Sequence, residues 1–166
     1  MRIEFGKTQF GDIARSYVLD CLKSGWVSIG PKVAKFEEGW GKLFDYKFNV
    51  AMSTGTDADK NACLALYDFG AKRGDEIIVP ALAFAAVGEA VLEAGFTPVF
   101  VDVEKTTMNI DQSKIEEKIS PKTRAIMAVH TMGKPCDMDK IMQTAKKHKL
   151  FVIEDACEAH GAKYKG

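Results

Sequence analysis

The chain has 166 residues, enough for a domain with a substantial core. Its 23 lysines and arginines balance 23 aspartates and glutamates, for a net charge of zero. Nucleic-acid and anionic-membrane partners call for a basic surplus, so neither is expected.

In chain order, the opening MRIEFGKTQFGD is polar and lacks the apolar core of a signal peptide. Helical periodicity covers 11–23 and 32–44, joined by the loop GWVSIGP. Short apolar runs then alternate with helix-like segments. Strands are predicted at 48–52, 76–79, 99–103, 125–129 and 150–153, and helices at 57–69, 85–94, 111–119 and 138–148. The apolar stretch 77–96 is interrupted by Pro80, Glu89 and Glu93, so it reads as strand, loop and helix and not as a membrane span. Gly70, Gly74 and Gly95 mark helix ends, Asp111 reads as an N-cap, and Pro80, Pro98, Pro121 and Pro135 fall between elements. The alternation predicts an α/β fold, three layers with a mostly parallel sheet between helices. Residues 1–46 form an N-terminal helical segment and 47–166 the alternating core. Such sheets commonly continue beyond five strands, so the chain is expected to be the front of a larger domain. Cys21, Cys63, Cys136 and Cys157 show no CxxC spacing and lie among apolar or small residues. That points away from a metal site and toward reduced thiols in the cytoplasm.

Ligands of open α/β sheets sit at the carboxyl ends of the strands. Asp155 ends the apolar run 150–153, where a carboxylate can pair with a cationic ring nitrogen or can simply be solvated. Met52-Ser53-Thr54-Gly55-Thr56-Asp57 precedes a helix. Its glycine and the helix amides suit a phosphate, and its hydroxyls also suit an ordinary cap. Phe84 follows the strand 76–79 and can stack on a planar ring or fill the core. His130 ends the strand 125–129, as a ligand contact or as a hydrogen-bonded structural residue, and His160 is open to the same two readings. Phosphate donors, a ring and a carboxylate delivered to one edge are the parts a pyridoxal phosphate site needs.

The chain resembles the DegT/StrS family of pyridoxal phosphate-dependent sugar-nucleotide aminotransferases, a branch of fold-type I. The matching motifs run from Ser24-Gly25-Trp26-Val27-Ser28-Ile29-Gly30-Pro31 with Phe36-Glu37, through Gly55-Thr56, Gly74-Asp75-Glu76-Ile77-Ile78-Val79-Pro80 and Pro98-Val99-Phe100-Val101-Asp102-Val103. They continue through Asn109-Ile110-Asp111, His130-Thr131-Met132-Gly133, Asp137-Met138-Asp139 and Glu154-Asp155-Ala156 to His160-Gly161-Ala162. The resemblance implies that Gly55 and Thr56 bind the cofactor phosphate, that Phe84 stacks on the pyridine ring, and that Asp155 keeps the ring nitrogen protonated. It places Glu158 beside the cofactor and makes Trp26, Ser28, His130 and His160 candidates for substrate contact. It further implies amino transfer, with glutamate as donor, to a nucleotide-linked 4-keto-6-deoxy sugar in polysaccharide biosynthesis, by a cytoplasmic homodimer. The family's Schiff-base lysine is expected beyond Gly166, since no lysine here matches it, and the chain alone is expected to be inactive. Other departures are Glu158 where aminotransferases carry glutamine, Ala83 for threonine, and Asp59 at an apolar helix position. Glu158 with His130-Thr131 is also shared with a sister branch of pyridoxamine phosphate-dependent sugar 3-dehydrases. A truncated, non-catalytic relative that binds cofactor or a partner is the remaining reading.

Overall fold

A computed structural model describes residues 9–166. The first eight residues, including most of the polar opening, lie outside the described residues. The chain forms two compact units, Met1–Ala51 and Met52–Gly166.

In the first unit, α1 (Asp12–Ser24) ends on Gly25 in the left-handed conformation, and α2 (Pro31–Phe44) begins with proline at a position whose amide has no helical partner anyway. Phe36, Trp40 and Phe44 recur every four residues on α2, with ring centroids 5.7 and 4.5 Å apart. Lys32 on α2 binds Asp20 on α1 at 2.6 Å. Between the helices, the Trp26 indole N–H donates to the Ile29 carbonyl at 3.0 Å. A Cβ on Gly30 would lie 2.2 Å from that indole nitrogen, so the loop closes only over glycine.

The second unit carries α3 (Gly55–Ala65), β1 (Glu76–Pro80), α4 (Ala86–Glu93), β2 (Thr97–Val101), β3 (Thr123–Val129), α5 (Met138–His148) and β4 (Phe151–Asp155). The strands form a parallel sheet in the order β2-β1-β3-β4. Alternate side chains sort into two cores. Ile77, Val79, Ala125 and Met127 pack with Cys63, Leu66, Val87 and Val91 of the α3–α4 layer. Ile78, Ile126 and Ala128 pack with Ile110, Ile115, Met138 and Ile141 of the α5 layer. The expected three-layer α/β architecture is therefore present.

Two expected elements are absent. Residues 48–52 form no strand: Phe48 and Val50 are 82% and 73% exposed, and no described strand pairs with them. Alternating apolar residues specify an extended segment, but only a neighbour's hydrogen-bond ladder makes it a strand. Residues 111–119 form two short 3₁₀ turns, Gln112–Lys114 and Glu116–Lys118, in place of a helix. The Asp111 carboxylate does cap, accepting the Ser113 amide at 3.1 Å and the Ser113 hydroxyl at 2.6 Å, and such local bonds compete with the helical ladder. Ile110 and Ile115, both buried, are spaced so that a regular helix would turn them to different sides. The helix expected at 57–69 likewise divides into α3 and a 3₁₀ turn, Leu66–Phe69, closed by Gly70 at φ 88°.

The sheet opens where the site needs it. β1 pairs with β2 as far as Pro80↔Val101, and β3 with β4 as far as Val129↔Asp155, but β1 and β3 pair only up to Ile78↔Ile126. Pro80 has no amide to offer β3. The chain runs outward from β1 to β2 and then returns to place β3 on the other side of β1. The parting strands therefore mark the topological switch point, where such sheets take ligands.

Candidate functional site

Four strand ends meet at this carboxyl edge. Adjacent carboxylates at the end of β4 point to opposite faces because strand side chains alternate. Ile153 packs in the α3–α4 core, so Asp155 continues that row toward α3, and Glu154 faces the α5 layer.

On the α5 side, Glu154 meets His130. The buried His130 ring lies with Nε2 2.9 Å from the Glu154 carboxylate, while the Cys136 amide donates to Nδ1 at 3.1 Å. An amide can only donate, so Nδ1 is the bare nitrogen, and Nε2 carries the proton it gives to Glu154. That hydrogen bond outweighs burial and holds the Glu154 carboxyl below its ordinary range. His130 thus ties the end of β3 to β4 and to the loop entering α5, with both ring nitrogens taken by protein groups. His130→Leu should lower stability by about 1–3 kcal/mol by stranding the Cys136 amide, read as a drop in urea midpoint; an unchanged midpoint would remove this bracket role.

The turn after β3 is pinned as well. Met132 sits at φ 54°, and its amide donates to the Glu158 carboxylate at 2.5 Å. The Thr131 amide donates to the buried Asn109 side chain at 2.9 Å. Glu158 is thereby brought to the mouth of β3 and β4, engaged with backbone. His160 lies exposed in the segment after β4.

On the α3 side, Asp155 is 8% exposed and accepts the Cys157 amide at 3.0 Å. The Cys157 thiol also hydrogen-bonds Asp155, which together with burial pushes that thiol up to about 12, so it stays protonated. A Cβ on Gly55 would lie 3.2 Å from the Cys157 sulfur, so the first turn of α3 rests directly on the segment following β4. Thr54 caps α3, its hydroxyl accepting the Asp57 amide at 3.0 Å. Asp57 in turn binds the Ser53 and Thr54 hydroxyls, which hold its carboxyl below its ordinary range. The amides of Gly55 and Thr56 open the helix and take no partner among the described residues, leaving two donors at the positive end of the helix dipole. Phe84, on the loop leaving β1, is 83% exposed and is no core residue. A buried carboxylate, open helix amides and an uncovered aromatic ring at one sheet edge fit an anionic, planar, cation-bearing heterocycle.

Trp26 and Ser28 line an apolar groove of about 580 Å³ in the first unit with Val18, Leu22 and Val33. Among the described residues no cluster of His, Cys, Asp and Glu converges to hold a metal, and no helix is long and apolar enough to cross a membrane.

One residue of the site escaped a reading by motif. Asp59 is 8% exposed on the sheet-facing side of α3, and burial together with the nearby Asp155 charge pushes its carboxyl up to about 7. The signal in the sequence was a charge inside the stripe Gly55, Asp59, Cys63, where the pattern calls for an apolar side chain.

Comparison with known proteins adds three findings. The family model described as the DegT/DnrJ/EryC1/StrS aminotransferase family matches residues 10–166. The GDP-perosamine synthases of Caulobacter vibrioides and Escherichia coli O157:H7 are 42% and 45% identical to the chain, over 99% and 92% of it and 44% and 41% of their own lengths. A crystal structure of GDP-4-keto-6-deoxymannose-3-dehydratase with a trapped PLP-glutamate geminal diamine superposes with a TM-score of 0.90 at 28% identity, covering 99% of this chain and 44% of that one. The chain thus spans less than half the length of these relatives.

Proposed function

This chain belongs to the DegT/DnrJ/EryC1/StrS aminotransferase family, whose fold is that of the fold-type I pyridoxal phosphate-dependent transferases, and from that premise we propose that it is the front of the large, cofactor-binding domain of a sugar-nucleotide aminotransferase. The observation that carries the reading is Asp155: a buried carboxylate, held by an amide and a thiol, at the end of β4 and beside the opening turn of α3.

Pyridoxal phosphate, once bound, supplies a protonated ring into which electrons from a breaking Cα–H bond can flow. The residues of this chain prepare that ring. The free amides of Gly55 and Thr56 hold the phosphate at the helix dipole. Phe84 covers one ring face. Asp155 keeps a proton on the ring nitrogen, and the Cys157 amide fixes the orientation of its carboxylate. Glu158 holds the Met132 turn at the rim of the site. Trp26, Ser28 and His160 remain the proposed substrate-side residues, whereas buried His130, its ring nitrogens engaged by Glu154 and the Cys136 amide, is kept as a structural bracket. The proposed amino donor is glutamate and the proposed acceptor a nucleotide-linked 4-keto-6-deoxy sugar; the identity to proteins named GDP-perosamine synthase supports the nucleotide-linked sugar. The complete protein is proposed to act as a cytoplasmic homodimer.

Glu158 and the close superposition on a 3-dehydratase favour a second reading, loss of the sugar 3-hydroxyl without amine transfer. The test is to incubate full-length protein with a GDP- or dTDP-linked 4-keto-6-deoxyhexose and glutamate, and to follow the products by mass spectrometry. An amino sugar with an equivalent of 2-oxoglutarate supports the aminotransferase. A 3-deoxy product without incorporated nitrogen supports the dehydrase. Unchanged sugar with every such substrate refutes both.

Phe84→Ala should weaken cofactor binding about tenfold, the worth of one well-placed aromatic contact, and change turnover at saturating cofactor by less than about threefold. Fluorescence titration with pyridoxal phosphate decides: unchanged affinity would remove Phe84 from the site.

A further inference from the structure

We propose that Asp59 is a positioning residue for the cofactor, a second buried carboxylate behind Asp155 that holds a proton while the site is empty and releases it when the cationic ring arrives. This rests on the cofactor reading above.

Three observations carry it. Gly55, Asp59 and Cys63 follow one another at helical spacing along the face of α3 that meets the sheet. Cys63 is wholly buried in the α3–α4 core, and Gly55 rests on Cys157, the residue that donates to Asp155. Asp59 therefore lies between the core and the carboxylate that would face the ring. Second, Asp59 is only 8% exposed and accepts no protein hydrogen bond among the described residues, so its carboxylate oxygens are served only by the little solvent that still reaches them. The other buried polar side chains all have partners: Asp75 has Arg124, Asn109 has Lys134, Thr123 has Glu76, His130 has Glu154, and Asp155 has Cys157. With so little water around it the charged form is costly, and an apolar side chain would serve the packing better. Third, α3 rests on Cys157, which binds Asp155, and the Asp155 charge acts on Asp59 as a like charge, so ionising both is disfavoured.

The assignment of the proton follows from the partners. Asp155 receives the Cys157 amide and thiol, whereas Asp59 accepts no protein hydrogen bond among the described residues and is raised by burial, so the proton is assigned to Asp59. Its carboxyl, pushed up to about 7, then changes charge within the working range of the cell. The other ionisable groups near it lie on its own helix, on the β4 side and on α4. Cys63 on its own helix and Cys157 from the β4 side are both pushed up to about 12. On α4, which packs against α3, Glu93 is paired with Lys60 at 2.7 Å, and Glu89 is exposed to solvent. A protonated ring nitrogen at Asp155 would offset the repulsion, draw the Asp59 proton off, and leave two carboxylates to hold one cation. By linkage, cofactor affinity should rise with pH as Asp59 ionises.

The experiment uses full-length protein and pyridoxamine phosphate, which forms no covalent bond to the protein. Its dissociation constant is measured by fluorescence from pH 6 to 8.5 for the wild type and Asp59→Asn. The two should agree within about twofold at pH 6, where Asp59 is neutral, and wild type should bind at least about fivefold more tightly at pH 8.5. Because Asn is a neutral near-isostere, a purely structural Asp59 would move both constants equally at every pH, and a flat ratio would overturn the proposal. Should Asp59→Asn fail to fold, carboxyl-carbon NMR of the aspartate-labelled wild type replaces it. One aspartate should titrate near pH 7 in the empty protein and at least about one unit lower in the complex; no such shift refutes the idea. Wild type that binds pyridoxamine phosphate with a flat ratio leaves the cofactor reading standing and Asp59 without this role. Wild type that binds none of it brings down both.

Discussion

Asp155→Asn is expected to leave the fold intact and to lower turnover of the full-length protein on the order of 100-fold or more, the scale of losing a positioned proton-holding group. The replacement is nearly isosteric, and its side-chain oxygen can still accept the Cys157 amide that Asp155 accepts at 3.0 Å. What disappears is the negative charge at the end of β4. On the proposed reading Asp155 is the carboxylate that faces the ring nitrogen, so without its charge the ring would lose most of its capacity to take up electrons. The effect should fall mainly on turnover, with circular dichroism and urea midpoint close to wild type. Activity within a few-fold of wild type would show that Asp155 does not face the ring nitrogen.

Asp59→Leu is expected to stabilise the protein, and to do so far more above pH 7 than at pH 4. The sign follows from linkage. Asp59 has a folded value of about 7 against an ordinary 3.8, so the folded state holds its proton longer than the unfolded state does. Between those values the native protein binds more protons, and stability falls as pH rises. Below the lower value the penalty is absent, and above the upper value it is complete. Three units of displacement correspond to at most about 4 kcal/mol, and a gain of about 2–3 kcal/mol for the variant at pH 8 is the reasonable expectation. Leucine also brings apolar area into the α3–α4 core. Urea denaturation at pH 4 and pH 8 measures it; equal gains at the two values would mean that Asp59 ionises freely in the folded state. Should the proposed role hold as well, the stabilised variant would lose the pH dependence of cofactor binding, and the cost of the buried acid would be a cost of function.

Much of this was readable in the residues alone. The four strands of the sheet were recognisable because β1 and β3 are nearly continuous runs of Ile, Val, Ala and Met, as parallel strands buried on both faces must be. Helix α5 was placed at 138–148, the range it occupies, and the structure buries its apolar stripe, Met138, Ile141 and Ala145, and caps it with Asp137. Phe84 and Asp155 could be placed at one edge because parallel strands deliver their carboxyl ends to the same side, whereas Gly55 and Thr56 open a helix that no described strand precedes. Residues 48–52 were misread because a strand is a relation between segments, and no neighbour for that run lies among the described residues. Residues 111–119 were misread because the bonds from Ser113 to Asp111 are local, short and cheap, and they hold the backbone away from the helical ladder.

The sequence by itself determined the layers, the polarity of the sheet and the edge at which chemistry collects, since these follow from periodicity and chain direction. Which groups touch was decided only in three dimensions. The alternation along β4 sends Glu154 to His130 and Asp155 to α3, so two neighbouring carboxylates take up separate tasks. Proline at the end of β1 and the return of β3 across the sheet part the strands at the switch point. The influence of Asp155 on Asp59 arises because α3 lies against the segment that follows β4, nearly a hundred residues later in the chain. Burial and proximity are properties of that packing, and they turn an ordinary surface-type acid into one that titrates near neutrality.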